Sequence, residues 1–459
     1  MRTLQTSARN HTTFRQRRLV CALLITLALL VPLRNPFTAS ATSAPAESTI
    51  VLETAGAPFL QGTTQAVHAE PGNESNPHVD CDGVSYTFDD FMGRSTIHYQ
   101  DLSTGIDTEI PGNDVDLLSD VSGSRVAFTQ VTNSGDTIRI FDTISQTTTI
   151  VPGFGLSNPS IGGNLVAFED VGSSIPGGRD IDFYDLSSGI VTKLAHDAFD
   201  NINPEVSPNG DAVIWQKCQA NQVSCDLYAA IQTSPGVFTT RALISGGNSS
   251  RFESSSTNGE LAVYTSLRNG ERDLYYQPLA GGTEVHLSIP GDQRDVTISG
   301  NFISFESGTQ HGYDIFVYDI RSGRLFQATN TLVDEKLSEI SVCGDTGRIV
   351  YVNVANGAFD VNAFTFQVPS VPSDTEDQLA DLIALIRSFN LPPGIANSLM
   401  RKLQNALDAV NASDTATACN LVTAFINECQ AQSGKKLTPE QSTQLITAAN
   451  HIKTDLGCP

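Results

Sequence analysis

The 459-residue sequence has few basic residues, and several motifs that mark catalytic or nucleotide sites are missing from it. It holds 27 lysines and arginines against 50 aspartates and glutamates. A surface of this charge repels nucleic-acid phosphates and anionic lipid headgroups, whereas cations, basic peptides and neutral glycans remain possible ligands. Neither Gly-x-Ser-x-Gly, His-Glu-x-x-His nor Gly-Lys-Ser/Thr occurs. We therefore expect no nucleic-acid binding and none of these three common kinds of active site.

A single long apolar run, Leu19–Leu33, lies near the N-terminus. The basic stretch 15–18 precedes it, and Ala39-Ser40-Ala41 follows it. This order predicts a secretory signal peptide over residues 1–41, with an uncut signal anchor as the alternative. The run is short for a membrane span. We expect a bacterial protein that is secreted or periplasmic, with no membrane insertion once the signal is removed.

A repeat of about 40 to 49 residues runs through the middle of the chain, from about 75 to 368. Each copy has short alternating strands, a glycine turn and an aromatic residue. Gly163-Asn-Leu-Val-Ala-Phe168 matches Gly300-Asn-Phe-Ile-Ser-Phe305 closely. The aromatic positions are Phe88, Phe128, Phe168, Trp215, Tyr264, Phe305 and Tyr351. Four antiparallel strands per copy predict an all-β propeller over residues 42–368, with seven blades favoured and six blades as the alternative.

The last repeat lacks a fourth strand, because Pro369 ends it. The β-rich stretch 49–53 is otherwise unassigned, so we expect it to supply that strand and close the ring. Cys81 and Cys343 occupy near-equivalent places in the first and seventh repeats. In a closed ring these repeats are neighbours, which predicts a Cys81–Cys343 disulfide across the seam.

The repeat resembles the TolB-like propeller repeat of exported bacterial proteins. The segment Asn203-Pro-Glu-Val-Ser-Pro-Asn-Gly-Asp-Ala-Val-Ile-Trp215 is its nearest copy, with Asn209 where the family usually has aspartate. The resemblance implies the fold over about 290 residues. It does not imply one function, because this fold serves peptide binders, scaffolds, lyases and peptidase gates.

Beyond a proline-containing linker at 369–376, the apolar period changes from two to about 3.6 residues, which predicts four helices over 377–459. Thr438-Pro-Glu-Gln441 has the pattern of a helix N-terminus. The stretches 424–428, 434–438 and 445–449 resemble the FIMAH-type helical domain found in secreted bacterial proteins. That resemblance implies an accessory module and no catalytic residues, in an all-α bundle that follows the propeller.

Two further disulfides are expected. Cys218 and Cys225 flank a hairpin of the fourth repeat, and antiparallel helices would bring Cys419 to Cys458. Cys429 is then left as a packed free thiol. Zinc binding is the alternative, but no Cys-x2-Cys occurs and export favours disulfides. The sequence therefore predicts neither a cofactor nor a resident metal.

Residues at the start of the innermost strands would surround one mouth of the central channel. These are His78, Asp120, Ser160, Glu205, Glu253, Asp295 and Glu339. Converging carboxylates repel one another unless a cation or a basic group neutralises them. We interpret six of them, all except Ser160, as a ligand site for a divalent cation or a Lys/Arg-bearing partner. A solvated acidic rim is the alternative interpretation.

The function that we predict from the sequence is a non-enzymatic binding or scaffold protein. It would bind a protein or a cell-wall glycan at the acidic mouth, with the helical tail as a docking module. A tail of about 90 residues, all helical, is too small for a hydrolase domain. The alternative is a metal-assisted glycan lyase or hydrolase that uses the channel. Only His78 and His196 are placed to serve such a metal.

Overall fold

The computed structural model describes residues 47–458, apart from short gaps. The gaps are 55, 69–70, 114, 172–177, 220–224, 245–251, 310–311, 356, 370–374, 390 and 413. The predicted signal peptide and most of the predicted linker lie outside the described residues. The described chain contains 29 strands followed by four helices.

The strands form seven antiparallel sheets in chain order, so seven blades are confirmed and the six-bladed alternative is wrong. Blade 1 contains β3 (Asn73–Asp80), β4 (Gly83–Asp89), β5 (Ser95–Asp101) and β6 (Ile106–Glu109). Blade 2 contains β7 (Asp116–Ser122), β8 (Arg125–Gln130), β9 (Thr137–Asp142) and β10 (Thr147–Ile150). Blade 3 contains β11 (Leu156–Gly162), β12 (Leu165–Asp170), β13 (Asp180–Asp185) and β14 (Ile190–Ala195).

The remaining blades repeat this order. Blade 4 contains β15 (Asp200–Val206), β16 (Ala212–Cys218), β17 (Cys225–Ser234) and β18 (Val237–Ile244). Blade 5 contains β19 (Phe252–Thr257), β20 (Leu261–Ser266), β21 (Asp273–Pro278) and β22 (Glu284–Ser288). Blade 6 contains β23 (Gln293–Ser299), β24 (Phe302–Thr309), β25 (Gly312–Asp319) and β26 (Arg324–Gln327). Blade 7 contains β27 (Asp334–Cys343), β28 (Thr346–Ala355) and β29 (Ala358–Gln367) from the C-terminal side.

The ring is closed by an N-terminal strand, but not by the predicted one. The fourth strand of blade 7 is β2 (Gly62–Ala66), which pairs antiparallel with β29. The predicted stretch 49–53 overlaps β1 (Glu47–Val51), which instead pairs parallel with β22 and adds a fifth strand to blade 5. Between them, Phe59 bridges to Gln327 of blade 6. The N-terminal segment therefore runs along the outer edges of three successive blades.

The hydrophobic core lies between the faces of neighbouring blades. Each middle strand is apolar on both faces because both are covered, which is typical of stacked sheets. Phe128 of blade 2, for example, is fully buried in a cluster with Ile97 of blade 1. In blade 1 the equivalent aromatic residue is Tyr86, two positions before the predicted Phe88.

The three disulfides expected from the sequence are present in the structure. They are Cys81–Cys343, Cys218–Cys225 and Cys419–Cys458. Cys429 is a buried free thiol, and burial raises its pKa to about 12. The first disulfide joins β27 to the turn after β3, so it links blade 7 covalently to blade 1.

Four helices follow the propeller, as predicted. They are α1 (Thr375–Ser388), α2 (Pro393–Asn411), α3 (Thr415–Gln432) and α4 (Pro439–Asp455). The side chains of Thr438 and Gln441 form a reciprocal capping box at the start of α4. The helices enclose their own apolar core, and α4 also packs against β1 of the propeller. Among the described residues, none of the helices combines the length and the hydropathy needed to cross a bilayer.

Candidate functional site

All seven innermost strands contain the same irregularity. Strands β3, β7, β11, β15, β19, β23 and β27 each shift register against their neighbour at a β-bulge. Six bulges contain a non-glycine residue with φ between 42° and 55°. These residues are Asn76, Leu118, Asn158, Asn203, Asp295 and Leu337. Bulky residues rarely adopt this left-handed conformation, and bulges often turn side chains toward functional sites.

The bulges surround a cavity of about 350 Å³ that residues of all seven blades line. The residue two positions after each bulge residue lines this cavity, and we call these seven side chains the mouth ring. Its members are His78, Asp120, Ser160, Glu205, Ser256, Thr297 and Glu339. The ring therefore has three acids and one histidine on blades 1, 2, 4 and 7 and three hydroxyl groups on blades 3, 5 and 6, so that Ser160 lies between Asp120 and Glu205.

Members of the mouth ring also join adjacent blades. The backbone N–H of Val79 donates to Glu339 Oε2 at 2.9 Å, and that of Ile161 donates to Asp120 Oδ2 at 2.7 Å. Ser160, Ser256 and Thr297 accept the same bond from the next blade in chain order. These bonds orient the carboxylates before any ligand arrives, and the second oxygen of Asp120, Oδ1, also accepts the backbone N–H of Val121 at 2.7 Å.

Three members of the ring converge closely. His78 Nδ1 lies 3.1 Å from Glu339 Oε2 and 3.6 Å from Asp120 Oδ1. One donor atom from each of the three lies within 4.8 Å of the others. Their side chains are only 11% to 26% exposed. Such a set of an imidazole and two carboxylates has the size and the donor chemistry of a divalent-cation site.

The proximity of these groups changes their protonation. Desolvation lowers the pKa of His78, but Glu339, Asp120 and Glu205 outweigh it and raise that pKa to about 10. Burial, together with the charge of Asp120, raises the pKa of Glu205 to about 8. Burial also raises the pKa of Asp120 to about 6, against the opposing charge of His78. At neutral pH the ring without a cation therefore holds a charged imidazolium and a protonated Glu205.

The sequence placed four of its six proposed ligands in the mouth ring and misplaced the other two. Asp295 lines the cavity but is the bulge residue of blade 6, where Thr297 takes the ring position. In blade 5 the ring position belongs to Ser256, and the side chain of Glu253 lies outside the described residues. A signal for the correct position was available, because every ring residue immediately precedes a β-branched residue.

The surroundings of Asp295 and the position of His196 also differ from the expectation. Asp295 interacts with Glu306 of the same blade, and burial first, then Asp295, raises the pKa of Glu306 to about 10. This pair of carboxyl groups could not be seen in the sequence. His196 contacts Asp180 near the outer part of blade 3 and does not line the cavity.

Seven blades around a central channel define the chain as a seven-bladed β-propeller. No protein-family model matches the chain, and no curated protein matches it either. Solved structures, in contrast, do match the chain. The propeller domain of the Trilobed protease from Pyrococcus furiosus is 10% identical, with a TM-score of 0.49, over 66% of this chain and 98% of its own.

Two further similar structures are enzymes of different classes, a peptidase and a lyase. A prolyl endopeptidase matches 66% of this chain at 14% identity and a TM-score of 0.48, and the match spans 51% of that protein. The chain thus spans about half the length of that peptidase. An oligogalacturonate lyase in complex with manganese matches 67% of this chain and 96% of its own, at 11% identity and a TM-score of 0.50.

These findings correct the prediction of a non-enzymatic scaffold, which is wrong. The finding that overturns it is the oligogalacturonate lyase, an enzyme that this propeller matches over almost its whole length. A propeller of this kind therefore does not need an added hydrolase domain in order to be an enzyme. At such low identities the similarity shows the fold, and the reaction of this chain is addressed below.

Proposed function

We propose that this protein is an exported, cation-dependent enzyme that cleaves an acidic glycan at the channel mouth. The observation that carries the proposal is the convergence of His78, Asp120 and Glu339 in a cavity that can admit a sugar. This proposal replaces the expectation of no resident metal.

The residues of the mouth ring fit a divalent cation. His78 would offer its Nδ1 once its imidazolium has released a proton to solvent, and Asp120 and Glu339 would each offer an oxygen. Backbone N–H groups of neighbouring blades already orient both carboxylates, which is the role of outer-shell partners in known metal sites. When bound, a cation would neutralise the ring and act as a Lewis acid toward a sugar carboxylate.

Glu205 is the residue that we assign to proton transfer. It lies in the same cavity, beside Ser160 Oγ at 3.4 Å, and in the ring without a cation burial and then the charge of Asp120 raise its pKa to about 8. A general acid or base works best when its pKa is close to the working pH. Glu205 would therefore exchange a proton with the sugar, and the other acids would hold the cation.

The acidic lining favours a carboxylated sugar over a neutral one. Without a cation, a uronic acid would be repelled by the ionised Asp120 and Glu339, whereas a neutral glycan would not need a cation in order to bind. The similar structure of an oligogalacturonate lyase with manganese supports the same class of substrate. β-Elimination is then the reaction that the site suits best: a base takes the proton on the carbon α to the carboxylate, the C–O bond at the β carbon breaks as the C=C bond forms, and the leaving oxygen takes up a proton. Hydrolysis is the alternative.

The test is cleavage of polygalacturonate by the purified protein with and without Mn²⁺. We expect reducing ends and the ultraviolet absorbance of an unsaturated uronate, both lost on chelation. His78→Gln and Glu339→Gln should abolish them, because each removes a ligand atom. Ser256→Ala is the matched control, since it changes a hydroxyl member of the same ring and should retain activity.

Reducing ends without that absorbance would assign hydrolysis. The proposal would be wrong if the folded protein cleaved no uronate polymer with Mn²⁺, or if both ligand variants kept full activity. The control also separates a ligand role from a purely structural one, because Ser256, like Glu339, accepts a bond from the next blade.

The finer assignments are part of the same proposal. We propose a signal peptide over 1–41, a TolB-like propeller over 42–368, a linker over 369–376 and a FIMAH-type accessory domain over 377–459. The sequence motifs described above support them. Secretion or periplasmic location is proposed on the same basis.

A further inference from the structure

A second cluster of metal-ligand side chains lies away from the channel, in the seam that closes the ring. His68 follows the closing strand β2, and Val67 beside it still donates to Val361 O of β29. His98 lies on β5 and Asp107 on β6, in the outer half of blade 1. The cluster therefore joins the end of the closing segment of blade 7 to blade 1.

Four donor atoms converge in this cluster. Asp107 Oδ2 lies 3.3 Å from His68 Nδ1 and 2.8 Å from His98 Nδ1. Tyr86 Oη lies 2.8 Å from Asp107 Oδ1 and 3.0 Å from His68 Nδ1. The ligands of a tetrahedral zinc ion with bonds of about 2.0–2.1 Å are roughly 3.3 Å apart. The cluster thus has nearly the dimensions of such a site before any ion is present.

The surroundings of the two imidazoles point to the same centre. The His68 and His98 side chains are only 7% and 9% exposed, and the ring of Phe88 packs against both. In each ring Nε2 is buried and has no hydrogen-bond partner among the described residues. Among the described residues, the hydrogen bonds of the two rings are those that Nδ1 makes at the centre, and an ion there would leave both Nε2–H groups buried without a protein partner. Asp107 is 24% exposed, which leaves a path for an ion from solvent.

We propose that His68, His98 and Asp107 form a structural Zn²⁺ site, with Tyr86 at the fourth position, that fastens the closing segment to blade 1. Two imidazoles, a carboxylate and a phenol oxygen form a donor set that suits zinc. Binding would stabilise the folded protein, because His68 meets the other three residues only when the segment after β2 packs on blade 1. The site is independent of the proposed enzyme activity.

The experiment uses the full chain with the channel site removed by His78→Gln and Glu339→Gln. Co²⁺ and then Zn²⁺ are titrated into this background. We expect one equivalent of Co²⁺ with the intense visible bands of four-coordinate cobalt, displaced by Zn²⁺. We also expect Zn²⁺ to raise the unfolding temperature and a chelator to reverse the rise.

Two variants in the same background decide the assignment. His68→Gln should weaken the affinity for Zn²⁺ by at least about tenfold and remove the cobalt bands. Asp107→Asn keeps the shape of the side chain and one of the two oxygens that contact Tyr86 and His98, so it should fold, but it loses the charge that binds the ion. His451→Gln, an exposed histidine of α4, is the control and should change nothing.

Absence of Co²⁺ binding in the background protein would overturn the proposal. Binding that persists unchanged in Asp107→Asn would also overturn it, even if His68→Gln fails to fold. Either result would leave the cluster as a hydrogen-bonded group only. Because the channel ligands are absent throughout, loss of the enzyme proposal would not affect this result.

Discussion

Glu339 of the last blade and His78 of the first blade meet across the seam of the ring. Glu339 Oε2 lies 3.1 Å from His78 Nδ1 and accepts the backbone N–H of Val79 at 2.9 Å. The Cys81–Cys343 disulfide joins the same two strands a few residues away. The candidate site is therefore completed only when the ring closes, and its geometry depends on that closure.

Loss of the seam disulfide should destabilise the protein more than loss of the hairpin disulfide. Cys81 and Cys343 are 262 residues apart, whereas Cys218 and Cys225 are 7 apart. In the chain-entropy description the difference in free energy of unfolding is about 3 kcal/mol. Double serine variants of each pair, compared by urea unfolding, measure it. Equal losses of the free energy of unfolding in the two double variants would show that the strands and side chains alone hold the ring closed.

Gly162 should not tolerate a side chain. A Cβ there would lie 1.9 Å from the carbonyl oxygen of Ser207 in the next blade, which is backbone and cannot move away cheaply. Gly162→Ala should therefore lower the free energy of unfolding by about 2 kcal/mol. Calorimetry is the measurement, and a neutral result would mean that blades 3 and 4 are less tightly apposed.

Gly394 provides the matched control. A Cβ at this position in the first turn of α2 meets nothing within 4 Å. Gly394→Ala should stabilise the protein by about 0.5 kcal/mol, because it restricts the unfolded chain. Opposite signs for the two glycines would separate close packing from the general effect of the substitution.

The buried acid pair in blade 6 should make stability depend on pH. Burial and the neighbouring Asp295 raise the pKa of Glu306 to about 10, above its unfolded value. Its contribution to stability is therefore full in acid and is lost as the pH rises toward 10. Glu306→Gln keeps the shape and cannot ionise. Between pH 6 and 9 its unfolding temperature should fall less than that of the wild type; parallel curves would contradict the assignment.

Much of the fold could be predicted because each repeat has a recognisable local sequence pattern. Alternating strands, turn glycines and aromatic residues such as Trp215 and Phe305 specify one blade each. The disulfide across the seam followed from the equivalence of Cys81 and Cys343 in neighbouring repeats. The closing strand was mistaken because the stretch 49–53 is the more β-prone, and pairing with β22 or β29 depends on contacts that lie far away in sequence.

The site was harder to predict because its register depends on a bulge. Side chains of a regular strand alternate between the two faces of the sheet. One inserted residue therefore changes which side chain lines the channel. Asp295 was therefore assigned to the position that Thr297 occupies. The cluster of His68 and His98 was missed because His68 lies in the connection between β2 and β3, and the sequence does not show that this connection packs on β5 and β6.

The central claim is that a divalent cation binds within the mouth ring, and anomalous diffraction from crystals soaked in Mn²⁺ tests it most directly. We expect a peak at bonding distance from His78 Nδ1 and from oxygens of Asp120 and Glu339, and no peak there in Glu339→Gln crystals. An ordered ring with no anomalous peak between these three side chains would contradict the account.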